Sequence, residues 1–149
     1  MREVVVIVPY VENRVLMQLR DEKAHIVFPG HWGFFGGSLN SGEPASQGAG
    51  RELFEETSYK PSQLHYLSTD RIGSHNDRIS HSFYCALSEP LEHLELNEGS
   101  DWGLFSLAEV KSTRLYSDRF DREYPVIPEA YLFNTVGKVF DQMAMLNGE

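Results

Sequence analysis

Cysteine is nearly absent from this 149-residue chain, with Cys85 standing alone. That leaves no intrachain disulfide framework and no thiolate cluster for zinc, and it makes a reducing compartment, the cytoplasm, the expected location. Basic charge is also scarce. Thirteen Lys and Arg face 22 Asp and Glu, a formal charge of −9, so the surface as a whole repels a phosphate backbone and extended nucleic acid is not an expected partner. Long apolar runs are missing too. The run Val4-Val5-Val6-Ile7-Val8 stops at Pro9, far short of the roughly 20 residues that span a bilayer. It has no cationic lead-in or small-residue cleavage site, so neither a membrane span nor an export signal is expected. The six histidines form no His-Glu-x-x-His or other close ligand pair, so a zinc site of that kind is not expected.

What is present suits a globular enzyme-sized domain. Hydrophobic residues make up 41%, charged 23% and aromatic 12%, well away from the composition of disordered chains. A chain of this length buries about two thirds of its unfolded surface, and no repeat, low-complexity tract or linker divides it, so residues 1–149 are expected to form one domain.

The pattern predicts a hairpin first: Val4 to Tyr10 is apolar and β-branched, Glu12-Asn13 turns, and Arg14 to Arg20 returns. Asp21 to His31 carries mixed charge and Pro29-Gly30, a loop. Trp32 to Phe35 predicts one short strand leading into Gly36-Gly37. Pro44, tolerated in a first helical turn, predicts a helix from there to about Glu56, although Gly48 and Gly50 inside it each cost about 1 kcal/mol relative to alanine. Strands are expected over Gln63 to Ile72 and Arg78 to Leu87, around a turn at His75-Asn76-Asp77, and over Asp101 to Phe105. After Pro128, the spacing of Leu132, Val136, Val139, Phe140 and Met143 predicts an amphipathic helix closed by Asn147-Gly148. Strands with two helices predict a sheet covered by helices.

Chemistry concentrates between Gly37 and Tyr59. At 100° per residue, Glu52, Glu55 and Glu56 fall within about a 100° arc of one helix. Like charges at i and i+4 destabilise a helix by roughly 0.2 to 0.5 kcal/mol per pair. Arg51 can pair with Glu55, but one guanidinium cannot neutralise Glu43, Glu52, Glu55 and Glu56 together. A divalent cation can, and clustered carboxylates suit hard ions such as Mg2+ or Mn2+, which complete their shells with water and substrate phosphate. Such ions also let an acidic protein accept an anionic phosphate. Taken without context, the same glutamates would be a solvated acidic face.

The segment resembles the Nudix hydrolase signature G-x5-E-x7-R-E-U-x-E-E-x-G-U, where U is bulky and apolar, matching at Gly37, Glu43, Arg51, Glu52, Leu53, Glu55, Glu56 and Tyr59. Chance would give the six fixed Gly, Glu and Arg matches in a chain this long with a probability on the order of 1 in 100,000. Ser58 departs, replacing the last glycine, and removes no ligand or base.

The resemblance implies an α/β/α sandwich of the Nudix type, its mixed sheet carrying the Nudix helix and a C-terminal helix. It implies Mg2+- or Mn2+-dependent hydrolysis of the pyrophosphate bond of a nucleoside diphosphate or triphosphate derivative. On that pattern Glu52 is the general base within the metal cluster, Glu55 and Glu56 hold metal, and Arg51 orients the carboxylates. Glu43 assists as ligand or as the ion-pair partner of Arg51, and the carbonyl of Gly36 adds a ligand. Glu98, in a later loop, either supplies a further carboxylate or is an exposed loop residue. Gly37 allows close substrate approach, Trp32 could stack on a base, and Arg20 and Asp21, at a strand end, could touch substrate; Phe34 is expected in the core. The implied partner is a small nucleotide-type molecule, with a homodimer as the commonest form of assembly. Two alternatives stay open: attack at a sugar carbon of a nucleotide sugar, and a noncatalytic domain that senses a nucleotide or binds a protein, suggested by Ser58 and the two helix glycines.

Overall fold

The computed structural model describes residues 1–146. The first two strands are β1 (Arg2–Val11) and β2 (Arg14–Leu19), joined through Glu12 and Asn13 in the register Tyr10↔Val15. β1 is the centre of the sheet. It pairs in parallel with β6 (Arg78–Ala86), which pairs antiparallel with β5 (His65–Ile72). β1 is apolar along both faces, as a strand covered on both sides must be: Val5 and Ile7 enter one core with Leu16, Phe35, Ala49 and Leu53, while Val8 enters a second with Val15, Met17 and Leu19.

The single strand expected over Trp32 to Phe35 is two. β3 (Trp32–Gly33) pairs with β2, and β4 (Phe35–Ser38) pairs with β1 in the register Val6↔Gly36, Val5↔Gly37. The chain therefore changes partners at Phe34, in the fork where β2 diverges from β1, and this drives Gly36 against the backbone of β1. Gly36 has φ of 154°, and any side chain there would collide with the Val5 carbonyl. β7 (Asp101–Phe105) completes the sheet on β2.

Helix α1 (Ala45–Thr57) covers one face through Ala49 and Leu53. Two further helices cover the other: α2 (Leu107–Lys111) and α3 (Ala130–Leu146), the latter through Leu132, Val136, Val139 and Met143. The layers are helix, mixed sheet, helix, as expected. The expected closure of α3 at Asn147-Gly148 lies outside the described residues. Three elements, α2 and the strands of a second hairpin, go beyond the expectation. α2 begins with a capping box in which Ser106 and Glu109 satisfy each other's backbone N–H groups, a signal present in the sequence as Ser-x-x-Glu. β8 (Arg114–Ser117) and β9 (Arg122–Pro125) form a separate hairpin. No helix among the described residues is long and apolar enough to cross a membrane.

Candidate active site

The carboxylates of α1 fan from interior to solvent. Glu56 lies beside the buried face made by Ala49 and Leu53 and is only 3% exposed, Glu52 is half-buried, and Glu55 is exposed. They share one side of the helix, as its periodicity requires, but packing gives each a different environment. The Gly36 N–H donates to Glu56 at 2.9 Å. Gly37 lies directly against Glu52, whose carboxylate oxygens come within 2.5 and 2.7 Å of where a Cβ would stand. Two consecutive glycines thus let β4 close onto the two inner glutamates.

Arg51 gathers the outer ones. It donates to both oxygens of Glu43 at 2.8 and 2.9 Å, to Glu52 at 3.1 Å, to Glu55 at 3.3 Å and to the Ser38 carbonyl at 3.2 Å. These bonds, joined by the Asn40 N–H, hold Glu43 down at a pKa of about 2. Glu43 is therefore the principal ion-pair partner of Arg51. Gly48, inside α1, has a steric reason: a side chain there would meet the end of the Leu39 side chain and come within 3.0 Å of Glu43.

Glu98 comes from the segment before β7 and is exposed, yet its carboxyl neighbours that of Glu56. Burial first, then this neighbouring carboxyl, push Glu56 up to about 10, against the opposing Gly36 N–H. Burial likewise raises Glu52, with Arg51 acting against it. Among the described residues, no group of three His, Cys, Asp or Glu side chains is already gathered around a point that could hold a metal ion. The donors nonetheless fit a hard dication. They are all oxygen, one is buried beside a second carboxyl, and the cations near them are arginines, one occupied by Glu43 and one on the cleft side.

On the α3 side of Gly36 and Gly37 the sheet opens into a cleft of about 370 Å³. Phe28, Phe34, Ile127 and Tyr131 form its apolar walls, Arg2, Arg20 and Arg78 bring positive charge, and Glu129, alone among the described residues, brings an acidic side chain to its lining. Arg78 is already committed to the carbonyls of Ser74, His75 and Asn76 and to Glu129 at 3.3 Å. Arg20 bridges cleft and carboxylates: burial lowers its pKa, while Glu98, Glu56 and Asp21 oppose that shift. Asp21 itself accepts the Ser100 hydroxyl at 2.7 Å. A larger open groove of about 610 Å³ between β5 and α3 shares Glu129 and Tyr131 with the cleft but reaches none of the glutamates of α1.

Two aromatic expectations are corrected. Trp32 is fully buried, packs edge-on against Phe105 at 4.9 Å and donates its indole N–H to the Leu115 carbonyl at 3.0 Å, so its ring is core and cannot stack on a substrate. Phe34 is half-buried and faces the cleft, edge-on to Tyr131 at 6.3 Å. The exchange follows from the partner change at Phe34, which alternation along a single strand does not anticipate. The sequence reading missed Arg2, Phe28, Arg78 and Glu129 as cleft residues, since they come from four separate segments with no shared local pattern.

A glycine strand closed onto a glutamate helix, on a mixed sheet between helical layers, defines a Nudix hydrolase. The chain belongs to the NUDIX domain family, whose model matches residues 1–128. Solved structures agree in fold. The NUDIX domain of Shewanella oneidensis NrtR complexed with ADP ribose is 18% identical, with a TM-score of 0.68 over 95% of this chain and 86% of that one. A MutT/nudix family protein from Listeria innocua is 21% identical, with a TM-score of 0.69 over 97% and 94%. A MutT NUDIX hydrolase from Burkholderia pseudomallei is 16% identical, with a TM-score of 0.66 over 95% and 96%. No curated protein matches the chain.

Proposed function

We propose that this protein hydrolyses the pyrophosphate bond of a nucleoside diphosphate or triphosphate derivative with Mg2+ or Mn2+, releasing a nucleoside monophosphate and a second phosphate-containing product. The observation that carries this reading is the placement of Glu52 and Glu56 against Gly36-Gly37, between Glu98 and an arginine-bearing cleft.

Glu52, Glu55, Glu56 and Glu98, with the Gly36 carbonyl, are the groups that would hold the metal. A bound dication supplies neutralisation of phosphate charge and a lowered pKa for coordinated water. The remaining work falls to the chain. Glu52, raised by burial and positioned by Arg51, takes the proton of the attacking water. Arg51 fixes the direction of the carboxylates through its bonds to Glu43, Glu52 and Glu55. Arg20 meets the anionic phosphates from the cleft side, and Gly37 leaves the strand surface open to them. The cleft, of a size usual for small-molecule sites, receives the nucleoside, with Phe34 and Phe28 offering ring surface to the base. NrtR from S. oneidensis binds ADP ribose in its NUDIX domain, a ligand of the class proposed here.

The test is a panel of nucleoside triphosphates, nucleotide sugars, ADP-ribose and dinucleoside polyphosphates, assayed with and without Mg2+. Metal-dependent release of phosphate or nucleoside monophosphate is expected from at least one, and Glu52→Gln should lower its turnover number by roughly 10² to 10⁴ with the fold retained. Binding without turnover across the panel would instead support a sensing domain. Incorporation of 18O from water into sugar would move the attack to carbon.

A further inference from the structure

Glu98 is an exposed glutamate in a segment without regular structure, beside the Glu56 carboxyl, and the backbone around it is fastened on both sides. The C-terminal carbonyls of α1 lack partners within the helix, and the segment before β7 satisfies three of them in succession. Asn97 Nδ2 donates to the Glu55 carbonyl at 3.1 Å, the Asn97 N–H to that of Glu56 at 2.8 Å, and the Glu95 N–H to that of Thr57 at 3.0 Å. Ser58 joins this seam. It caps α1 in the left-handed conformation, φ 60°, and accepts a second bond from Asn97 Nδ2 at 3.2 Å. The serine that replaces the signature's glycine therefore contributes a hydroxyl to the seam, while adopting a backbone conformation that glycine reaches with less strain.

On the other side of Glu98 the chain is fastened to β2. Gln18 is only 3% exposed, a polar residue in an otherwise apolar strand interior, and its amide donates to the Glu98 carbonyl at 2.9 Å. Gly99, at φ 91°, lies so close that a Cβ would come within 2.7 Å of Gln18 and 2.9 Å of the Leu19 carbonyl, and the Ser100 N–H donates to that carbonyl at 2.8 Å. Glu98 is thus held between the end of the glutamate helix and the neighbouring strand.

We propose that Gln18 and Asn97 are positioning residues that hold the Glu98 carboxylate at the metal site, with Ser58 as the support of Asn97. The inference rests on the reading of Glu98 as a metal ligand. Like-charged groups brought together are tolerable when a cation joins them, and a ligand on a loop loses affinity when the loop wanders. Partners behind metal ligands typically contribute 10- to 100-fold in affinity.

Mn2+ binding to the full chain, followed by electron paramagnetic resonance, tests this without reference to turnover. Glu98→Gln, Asn97→Ala and Gln18→Met are each expected to weaken Mn2+ binding by about 10-fold or more. The decisive comparison is Asn97→Ala combined with Glu98→Gln, expected to bind no more weakly than Glu98→Gln alone, since the asparagine acts through that glutamate. Gln18→Met keeps side-chain volume and lies on β2, so it supplies the same comparison should Asn97→Ala unfold. Unchanged Mn2+ affinity in both positioning variants, or losses that multiply with that of Glu98→Gln, would overturn the proposal alone. Unchanged affinity in Glu98→Gln, with Glu56→Gln still defective, would instead remove Glu98 from the ligand set and the proposal with it.

Discussion

Alanine at position 50 and alanine at position 48 are the same chemical change two residues apart in one helix, and the structure predicts a stability gain at the first that is absent at the second. Intrinsic propensity favours alanine over glycine in a helix interior by about 0.8 to 1 kcal/mol. At Gly50 nothing lies within 4 Å of an added Cβ, so this gain should appear undiminished, raising Tm by about 2 to 4 °C for a protein of this size. At Gly48 the new methyl must displace Leu39 and crowd Glu43. Both contacts are the ends of flexible side chains, and Leu39 is only half-buried, so they can turn aside and the overpacking cost falls at the low end of its range, about 1 kcal/mol, enough to cancel the propensity gain. The two variants should therefore differ by about 1 kcal/mol in urea or thermal unfolding. Because Glu43 is the main partner of Arg51, Gly48→Ala should also lower activity, and Gly50→Ala should not. Equal stabilisation by both would show that the contact of Gly48 with the loop of Leu39 and Glu43 does not hold in solution.

Trp32→Phe should leave the Leu115 carbonyl unpartnered and lose about 1 to 3 kcal/mol of stability in urea titrations, with KM near wild type. Phe34→Ala should raise KM for the nucleotide, because Phe34 lines the cleft and Trp32 does not. Glu56 gives a pH dependence of definite sign. Its folded value of about 10 lies above the ordinary 4.5, so between those values the unfolded state binds fewer protons, and the metal-free stability that is fully present below 4.5 is lost as pH rises toward 10. Tm of EDTA-treated protein should decline between about pH 6 and pH 9 more steeply than that of Glu56→Gln. The Tm gained on adding Mg2+ should be larger at the upper end, where less proton has to be displaced; an equal gain across the range would contradict the raised value.

The sequence alone determined the glutamate helix and the face its carboxylates share. Positions three and four apart share a face in any α-helix, so Glu52, Glu55 and Glu56 had to lie together, and Arg51 had to reach Glu55, whatever the rest of the chain did. Apolar β-branched runs and turn residues likewise marked out the first hairpin and the β5–β6 pair, and helical spacing marked out α3. Tertiary structure decided everything that depends on what lies opposite. It made Glu56 the buried carboxylate and left Glu55 in solvent, because Ala49 and Leu53 face the sheet. It split Trp32 to Ser38 between two partner strands, sending Trp32 into the core and Phe34 to the cleft. It brought Glu98 to Glu56 through Asn97 and Gln18, residues 41 and 38 positions from Glu56 along the chain. Local periodicity fixes which side chains share a face, but only packing against distant segments fixes what that face meets, and in this protein that difference separates a row of glutamates from a site.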